Sequence, residues 1–208
     1  MFRKSNTAVF LFIDTLKVHI QNVSFIDCTW WGPLDFFINS DNHGFLLITH
    51  NSKFVDCSSV ISGGALRIFS RFAKSIHTSG TQNHKRKAVI INRCSFLSCK
   101  SFLNGGAIDV KFVANYQIKV TAKIYISWKH CIFRDNQANG LGGVIYAHSE
   151  TKHKIQVTLG MQRCYFYDNT ASHGGVFAVY NIYAIIIQQT WCFKNTAKSH
   201  NGYGGVHS

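Results

Sequence analysis

The chain has 208 residues, of which 46% are hydrophobic and 14% aromatic, a composition that supports a folded core and excludes intrinsic disorder. Its apolar runs, such as residues 8–13, are far shorter than the roughly 18 residues of a membrane-spanning helix, so no transmembrane segment is predicted. Lys and Arg number 22 against 9 Asp and Glu, a formal charge of +13. Such an excess favours polyanionic partners, whether acidic glycan, nucleic acid or anionic membrane.

Read in chain order, one unit recurs six times. Each unit has a Phe, then Cys or Asn two or three residues later, then one or two glycines followed by an apolar segment. The phenylalanines recur about every 34 residues, a period typical of solenoids. The units begin at Phe25, Phe54, Phe96, Phe133, Phe166 and Phe193, and their glycine motifs begin at Gly32, Gly63, Gly105, Gly142, Gly174 and Gly204.

Alternating apolar segments precede each Phe, as at residues 155–159, and follow each glycine motif, as at residues 65–69. They are typical of half-buried strands. We therefore predict an all-β, right-handed parallel β-helix of about six coils, a single domain over residues 1–208. Both ends are expected to be truncated within a longer solenoid, because solenoids need capping units. A Greek-key sandwich is the alternative.

In-register stacking about 4.8 Å apart turns inward residues into columns. The six phenylalanines are predicted to form an aromatic ladder. The cysteines are predicted to stack as free thiols, because Cβ atoms of neighbouring coils lie too far apart for a disulfide bond. One predicted column contains Cys94, Cys131 and Cys164, and a corner column runs through Cys28, Cys57, Cys99, Asn136 and Asn169.

The Phe-x-x-Asn motifs at residues 133–136 and 166–169 occur with Gly-Gly-Ala-Ile at 105–108 and close variants at 63–66, 142–145 and 174–177. In this combination the chain resembles the repeat of the chlamydial polymorphic membrane proteins, over about residues 20–206. The resemblance implies a β-helix displayed at the cell surface and linked to adhesion, with no enzyme residues. We therefore expect a cell-surface or extracellular location, although the sequence has no clear signal peptide.

Two sets of repeated polar residues allow more than one interpretation. Asp27, Asp56, Asp135 and Asp168 occupy one repeated position. There they serve either the turn itself or a site of paired carboxylates that binds Ca²⁺ or cleaves glycosides. His173 and His200 precede glycine pairs and are solvent-facing loop residues or the start of a metal site. We favour the structural interpretation of both sets, and predict no catalytic residue, no metal and no cofactor.

The segment 71–87 is predicted to be a basic loop that leaves the coil, and its cations could bind a polyanion. Its candidate binding residues are Arg71, Lys74, His84, Lys85, Arg86 and Lys87. Specific nucleic-acid binding is not expected, because only Phe72 in this loop could stack on a base.

The leading hypothesis is a non-enzymatic surface or secreted module for adhesion or ligand binding, with an acidic glycan or a host or cell-surface ligand as partner. The alternative is a β-helical polysaccharide lyase or glycoside hydrolase that acts on an acidic glycan. Against this alternative, the other carboxylates are scattered along the sequence, at Asp14, Asp35, Asp41, Asp109 and Glu150.

Overall fold

A computed structural model of the protein describes residues 1–4, 10–13, 17–29, 32–38, 46–72, 87–114, 122–150 and 155–198. These residues form strands, turns and bends, and contain no helix. In chain order the strands are β1 (Phe2–Arg3), β2 (Phe10–Ile13), β3 (Lys17–Gln21), β4 (Ser24–Ile26), β5 (Leu34–Ile38), β6 (Leu46–His50), β7 (Lys53–Val55), β8 (Ser58–Ser59), β9 (Leu66–Phe72), β10 (Lys87–Asn92), β11 (Ser95–Leu97), β12 (Lys100–Ser101), β13 (Ile108–Ala114), β14 (Ala122–Lys129), β15 (Ile132–Arg134), β16 (Gln137–Ala138), β17 (Ile145–Ser149), β18 (Ile155–Gln162), β19 (Tyr165–Tyr167), β20 (Thr170–Ala171), β21 (Phe177–Tyr180), β22 (Ala184–Gln188), β23 (Trp191–Phe193) and β24 (Thr196–Ala197).

Four parallel sheets run along the molecule, and each receives a strand from successive coils. The long sheet has the order β3-β6-β10-β14-β18-β22, the Phe sheet β1-β4-β7-β11-β15-β19-β23, the short sheet β8-β12-β16-β20-β24, and the post-glycine sheet β2-β5-β9-β13-β17-β21. Because each strand pairs with its equivalent one coil earlier and one coil later, the chain is a parallel β-helix. The predicted all-β solenoid is confirmed.

A column of phenylalanine rings fills the inside of the Phe sheet. Phe25, Phe54, Phe96, Phe133 and Phe166 pair in register, with successive ring centroids 4.7–5.0 Å apart and rings within 10° of parallel. All five side chains are buried. Phe2, which the sequence analysis did not assign to the ladder, extends the column at one end, 5.5 Å from Phe25.

The prediction that Phe193 belongs to this ladder is wrong. Cys192 pairs with Phe166, and Phe193 pairs with Tyr167 on the outer face, where its side chain is 48% exposed. The buried corner residue Asn195 fixes this register, because the inward position lies three residues before the corner in every coil. The last unit is therefore Cys192-Phe-Lys-Asn195, and it is not shortened.

The corner column changes from cysteine to asparagine, and the asparagines form a hydrogen-bonded ladder. Asn136 Nδ2 donates to Asn169 Oδ1 at 2.9 Å, and Asn169 Nδ2 donates to Asn195 Oδ1 at 2.8 Å. Each amide also donates to the carbonyl oxygen of a ladder phenylalanine. All seven cysteines are free thiols, so the corner is held by hydrogen bonds and packing.

The glycine pairs make the opposite corner, where coils approach each other most closely. Gly142 has a φ of +69°, a conformation that favours glycine. At the second glycine, a Cβ on Gly143 would collide with the carbonyl oxygen of Gly175 on the next coil. The repeated glycines are therefore required by backbone packing.

Candidate functional site

The predicted basic loop lies mostly outside the described residues. Arg71 is an exposed residue of β9, and Lys87 is the first residue of β10. The structure does not describe residues 73–86, which include Lys74, His84, Lys85 and Arg86. His200 of the histidine pair also lies outside the described residues. Binding by this loop stays a prediction.

The recurring aspartates lie on a turn that borders the Phe sheet. Asp27, Asp56, Asp135 and Asp168 all have φ between 52° and 55°, the left-handed conformation that Asp tolerates better than most residues. Asp135 lies 3.0 Å from Arg134 of its own coil. This geometry agrees with the interpretation of these aspartates as turn residues.

A second column of left-handed residues borders the other side of the Phe sheet. It contains Asn22, Asn51, Arg93, His130, Arg163 and Gln189, with φ between 47° and 56°. Arg93, His130 and Arg163 follow one another on consecutive coils, and we call these three residues the basic ridge. The Phe sheet therefore lies between an acidic turn column and a partly basic one.

A shallow groove lies beside the basic ridge on the outer face of the Phe sheet. It has a volume of about 420 Å³ and is lined by His130, Ile132, Arg163, Tyr165, Gln189 and Trp191; we call it the Trp191 groove. Tyr165 and Trp191 stack with centroids 4.7 Å apart and planes 8° apart, and about half of each side chain is exposed. Because the faces of the two rings pack against each other, the groove presents the edges of both rings to a ligand.

Cations surround the aromatic rings at this end of the Phe sheet. Arg163 Nε donates to Gln189 Oε1 at 2.8 Å, a bond that orients the guanidinium beside the groove. Tyr167 and Phe193 form a second stacked pair, 5.7 Å apart, with Arg134 over the Tyr167 ring and Lys194 over the Phe193 ring. Aromatic rings and positive charges therefore lie next to each other on one surface.

Comparison with known families matches one stretch that borders this groove. Residues 130–148 match the Chlamydia polymorphic membrane protein repeat. The predicted resemblance to the polymorphic membrane protein repeat is confirmed for this stretch, which contains the Phe133-to-Asn136 motif, the glycine motif at 142–145, and His130 and Ile132 of the groove. No curated protein and no solved structure showed a significant match to the chain. No helix in the described part of the chain is long and apolar enough to span a membrane.

Two of the carboxylates that the sequence analysis considered scattered are close together in the fold. Asp35, Arg67 and Asp109 lie opposite one another on β5, β9 and β13. Arg67 donates to both oxygens of Asp35, with an Nε–Oδ1 distance of 2.9 Å. Asp14 and Asp41 lie outside the described residues, while Glu150 is 3.5 Å from Lys111. Asp35 and Asp109 are thus far apart in the sequence, but both lie beside Arg67 in the fold.

Asp109 lines a second opening, on the outer face of the post-glycine sheet. This opening, of about 370 Å³, is lined by strand residues Phe37, Arg67, Phe69, Asp109, Lys111 and Tyr146 and by the loop residues Ile61, Ser62 and Asn104; we call it the Asp109 cleft. Burial raises the pKa of Asp109 to about 7, an effect that the nearby charges of Arg67 and Lys111 partly offset.

Burial holds one thiol of the cysteine columns in its protonated form. Burial raises the pKa of the Cys94 thiol to about 11, which keeps it protonated, and protonated thiols are poor nucleophiles and poor metal ligands. In the described ranges, no group of three or more His, Cys, Asp or Glu side chains is arranged to hold a metal ion.

The Trp191 groove was missed because its residues flank the repeat positions. Tyr165 and Trp191 each immediately precede an inward residue, so the alternation of the strand places them outside. A signal was present in the sequence: the strands Tyr165–Tyr167 and Trp191–Phe193 have aromatic residues at both outer positions, whereas Lys53–Val55 and Ser95–Leu97 have none.

Proposed function

We propose that this chain is a non-enzymatic binding module of a surface or secreted protein, with an adhesin-like role, and that the Trp191 groove binds an acidic glycan. The polymorphic membrane protein repeat at residues 130–148 supports the surface and adhesin-like part of the proposal. The observation that carries the glycan part is the exposed Tyr165–Trp191 pair beside the Arg163 guanidinium.

The groove has groups that complement both the apolar ring and the charged group of an acidic sugar. The C–H groups of a sugar ring pack against the exposed edges of the aromatic rings, where Trp and Tyr also carry polar groups. A carboxylate or sulfate group is recognised by Arg through charge-assisted hydrogen bonds. The stacked pair exposes one aromatic edge on each of two consecutive coils, which suits an elongated ligand that runs along the solenoid axis.

The net charge of the chain supports the same ligand class. At +13, the protein attracts a polyanion from a distance, and the attraction weakens as salt screens it. This long-range attraction does not determine where on the surface a polyanion binds. The basic ridge, in contrast, has Arg93, His130 and Arg163 in a line along the Phe sheet. Of these three residues, only His130 and Arg163 line the Trp191 groove, so the proposed site lies at that end of the ridge.

The test compares two arginines of the basic ridge. Binding of a heparin hexasaccharide is measured by titration calorimetry for Arg163→Asn, which changes the groove, and for Arg93→Asn, which removes the same charge two coils away. Asn is chosen because it tolerates the left-handed conformation of both positions. We expect Arg163→Asn to weaken binding about tenfold, since a charge-assisted hydrogen bond contributes about 1.5–3 kcal/mol and 1.4 kcal/mol is tenfold.

Trp191→Ala tests the aromatic part. This variant should bind the heparin hexasaccharide more weakly, and the loss of affinity should persist in high salt, because salt does not screen contacts with an aromatic ring as it screens charge attraction. Equal losses for Arg163→Asn and Arg93→Asn would mean that only net charge matters, and the groove would be rejected. Replacing Lys85, Arg86 and Lys87 by Ser tests the competing loop, and sugar release from pectin, alginate or heparin would contradict the non-enzymatic part of the proposal.

A further inference from the structure

The Asp109 cleft contains a buried carboxylate that points outward from the sheet. Asp35, Arg67, Asp109 and Tyr146 lie opposite one another on four consecutive coils of the post-glycine sheet. Their strand neighbours Leu34, Leu66, Ile108 and Ile145 fill the core, so alternation places the polar set on the outer face. Asp109 is nevertheless only 8% exposed.

The turn before the glycine pair explains this burial. A Cβ built on Gly63 would lie 3.1 Å from the Cβ of Asp109, so the Gly63 backbone covers one side of the carboxylate. Ser62 and Asn104 line the same opening from the loop side. The cleft is therefore enclosed by a sheet on one side and by turns of two coils on the other.

Asp109 differs from Asp35 in its partners. Arg67 satisfies both oxygens of Asp35, whereas Asp109 Oδ1 is buried and has no hydrogen-bond partner among the described residues. A buried polar atom without a partner costs about 1–3 kcal/mol. A ligand that donates a hydrogen bond to the Asp109 carboxylate would offset part of that cost.

The surroundings of Asp109 select the kind of ligand. Arg67 and Lys111 oppose a cation, while Asp35 and Asp109 itself oppose an anion. Two phenylalanine rings, Phe37 and Phe69, lie 5.7 Å apart at the wall of the cleft and provide apolar surface. A neutral ring that carries both hydroxyl donors and acceptors fits this combination of groups.

We propose that the Asp109 cleft is a second binding site, which holds a neutral sugar ring with one hydroxyl group donating to the Asp109 carboxylate. Lys111 donates to another ring oxygen, and Phe37, Phe69 and Tyr146 contact the apolar part of the sugar. A volume of about 370 Å³ accommodates one monosaccharide unit and lies within the usual size of small-molecule sites. The site is on a different sheet from the Trp191 groove and does not depend on the proposed glycan binding there.

The experiment is a titration of the full chain with glucose, galactose, mannose and N-acetylglucosamine, followed by ligand-observed NMR. Sites for a single sugar bind weakly, so sugar concentrations up to about 50 mM are needed. A Kd of about 50 mM corresponds to a binding free energy of about −2 kcal/mol. We expect at least one of these sugars to bind, and Asp109→Leu to weaken that binding at least tenfold. Asp109→Leu should remain folded, because it removes a buried oxygen that has no partner.

Two control variants make the outcome decisive. Lys111→Met changes a half-exposed side chain without altering the core, and should weaken binding about threefold, the loss of one donor. Trp191→Ala should leave binding of the neutral sugar unchanged, which separates this site from the Trp191 groove. The proposal is overturned if none of the four sugars binds, if Asp109→Leu binds as well as the unchanged protein, or if methylammonium or acetate competes for the cleft.

Discussion

The asparagine ladder at the corner should contribute several kcal/mol to stability, and Asn169→Ala tests this. In the folded protein Asn169 Oδ1 accepts from the backbone and side-chain nitrogens of Asn136, at 3.0 and 2.9 Å. Its Nδ2 donates to the Phe133 carbonyl oxygen at 3.0 Å. The substitution leaves two buried groups without these partners, the Asn136 N–H and the Phe133 oxygen. At about 1–3 kcal/mol each, we expect a loss of about 4 kcal/mol.

Urea denaturation followed by tryptophan fluorescence measures this loss as a shift of the midpoint. Asn169→Cys is the informative comparison, because the thiols of Cys57 and Cys99 donate to the same kind of phenylalanine oxygen, at 3.6 and 3.7 Å. Asn169→Cys should therefore lose less stability than Asn169→Ala. The neighbouring Asp168→Asn keeps a residue that tolerates the left-handed turn and should change stability by less than about 0.5 kcal/mol. A loss below about 1 kcal/mol for Asn169→Ala would refute the reasoning.

Two further predictions concern the core and pH. Phe133→Ala should cost about 3–5 kcal/mol, whereas Phe193→Ala should cost less than about 1 kcal/mol because its ring is outside the ladder; equal losses in urea would contradict the register. The folded pKa of Asp109, about 7, lies above its ordinary value of 3.8, so the folded chain binds more protons between these values. Stability should therefore fall as pH rises from about 4 to 7, and this slope should be smaller in Asp109→Asn. If stability changed equally with pH in the unchanged protein and in Asp109→Asn, the assignment of this pH dependence to Asp109 would be refuted.

The interior of this protein could be predicted from the sequence because the inward residue and the corner residue of each coil are separated by a fixed number of residues. A residue that points inward in one coil has its equivalents stacked above and below, so the unit from Phe96 to Cys99 locates the column and the corner together. The failure at Phe193 has the same origin. Two candidates, Cys192 and Phe193, compete for one inward position, and residue type favours the phenylalanine. Only the buried corner at Asn195, three residues after Cys192, decides the register.

The outer surface was harder to predict because its contacts join coils rather than neighbouring residues. Arg67 and Asp109 each lie four residues after the first glycine of their pair, so their adjacency could have been predicted by aligning the units on the glycines. Asp35 follows Gly32 by three residues, because that unit has a single glycine, and the alignment needs the structure. The burial of Asp109 could not be predicted from alternation, which places it outside. It arises from the Gly63 turn that folds over the sheet.

The two arginines of the basic ridge depart from local backbone preference. Asn22 and Asn51 occupy the left-handed position at low cost, and histidine tolerates it as well, whereas Arg93 and Arg163 hold the same backbone conformation without that advantage. Residues that depart from backbone preference on a stable scaffold indicate a functional constraint. It follows that Arg163→Asn should slightly raise the urea midpoint while it weakens heparin binding. A variant that loses both stability and affinity would instead place Arg163 among the residues that hold the coil together.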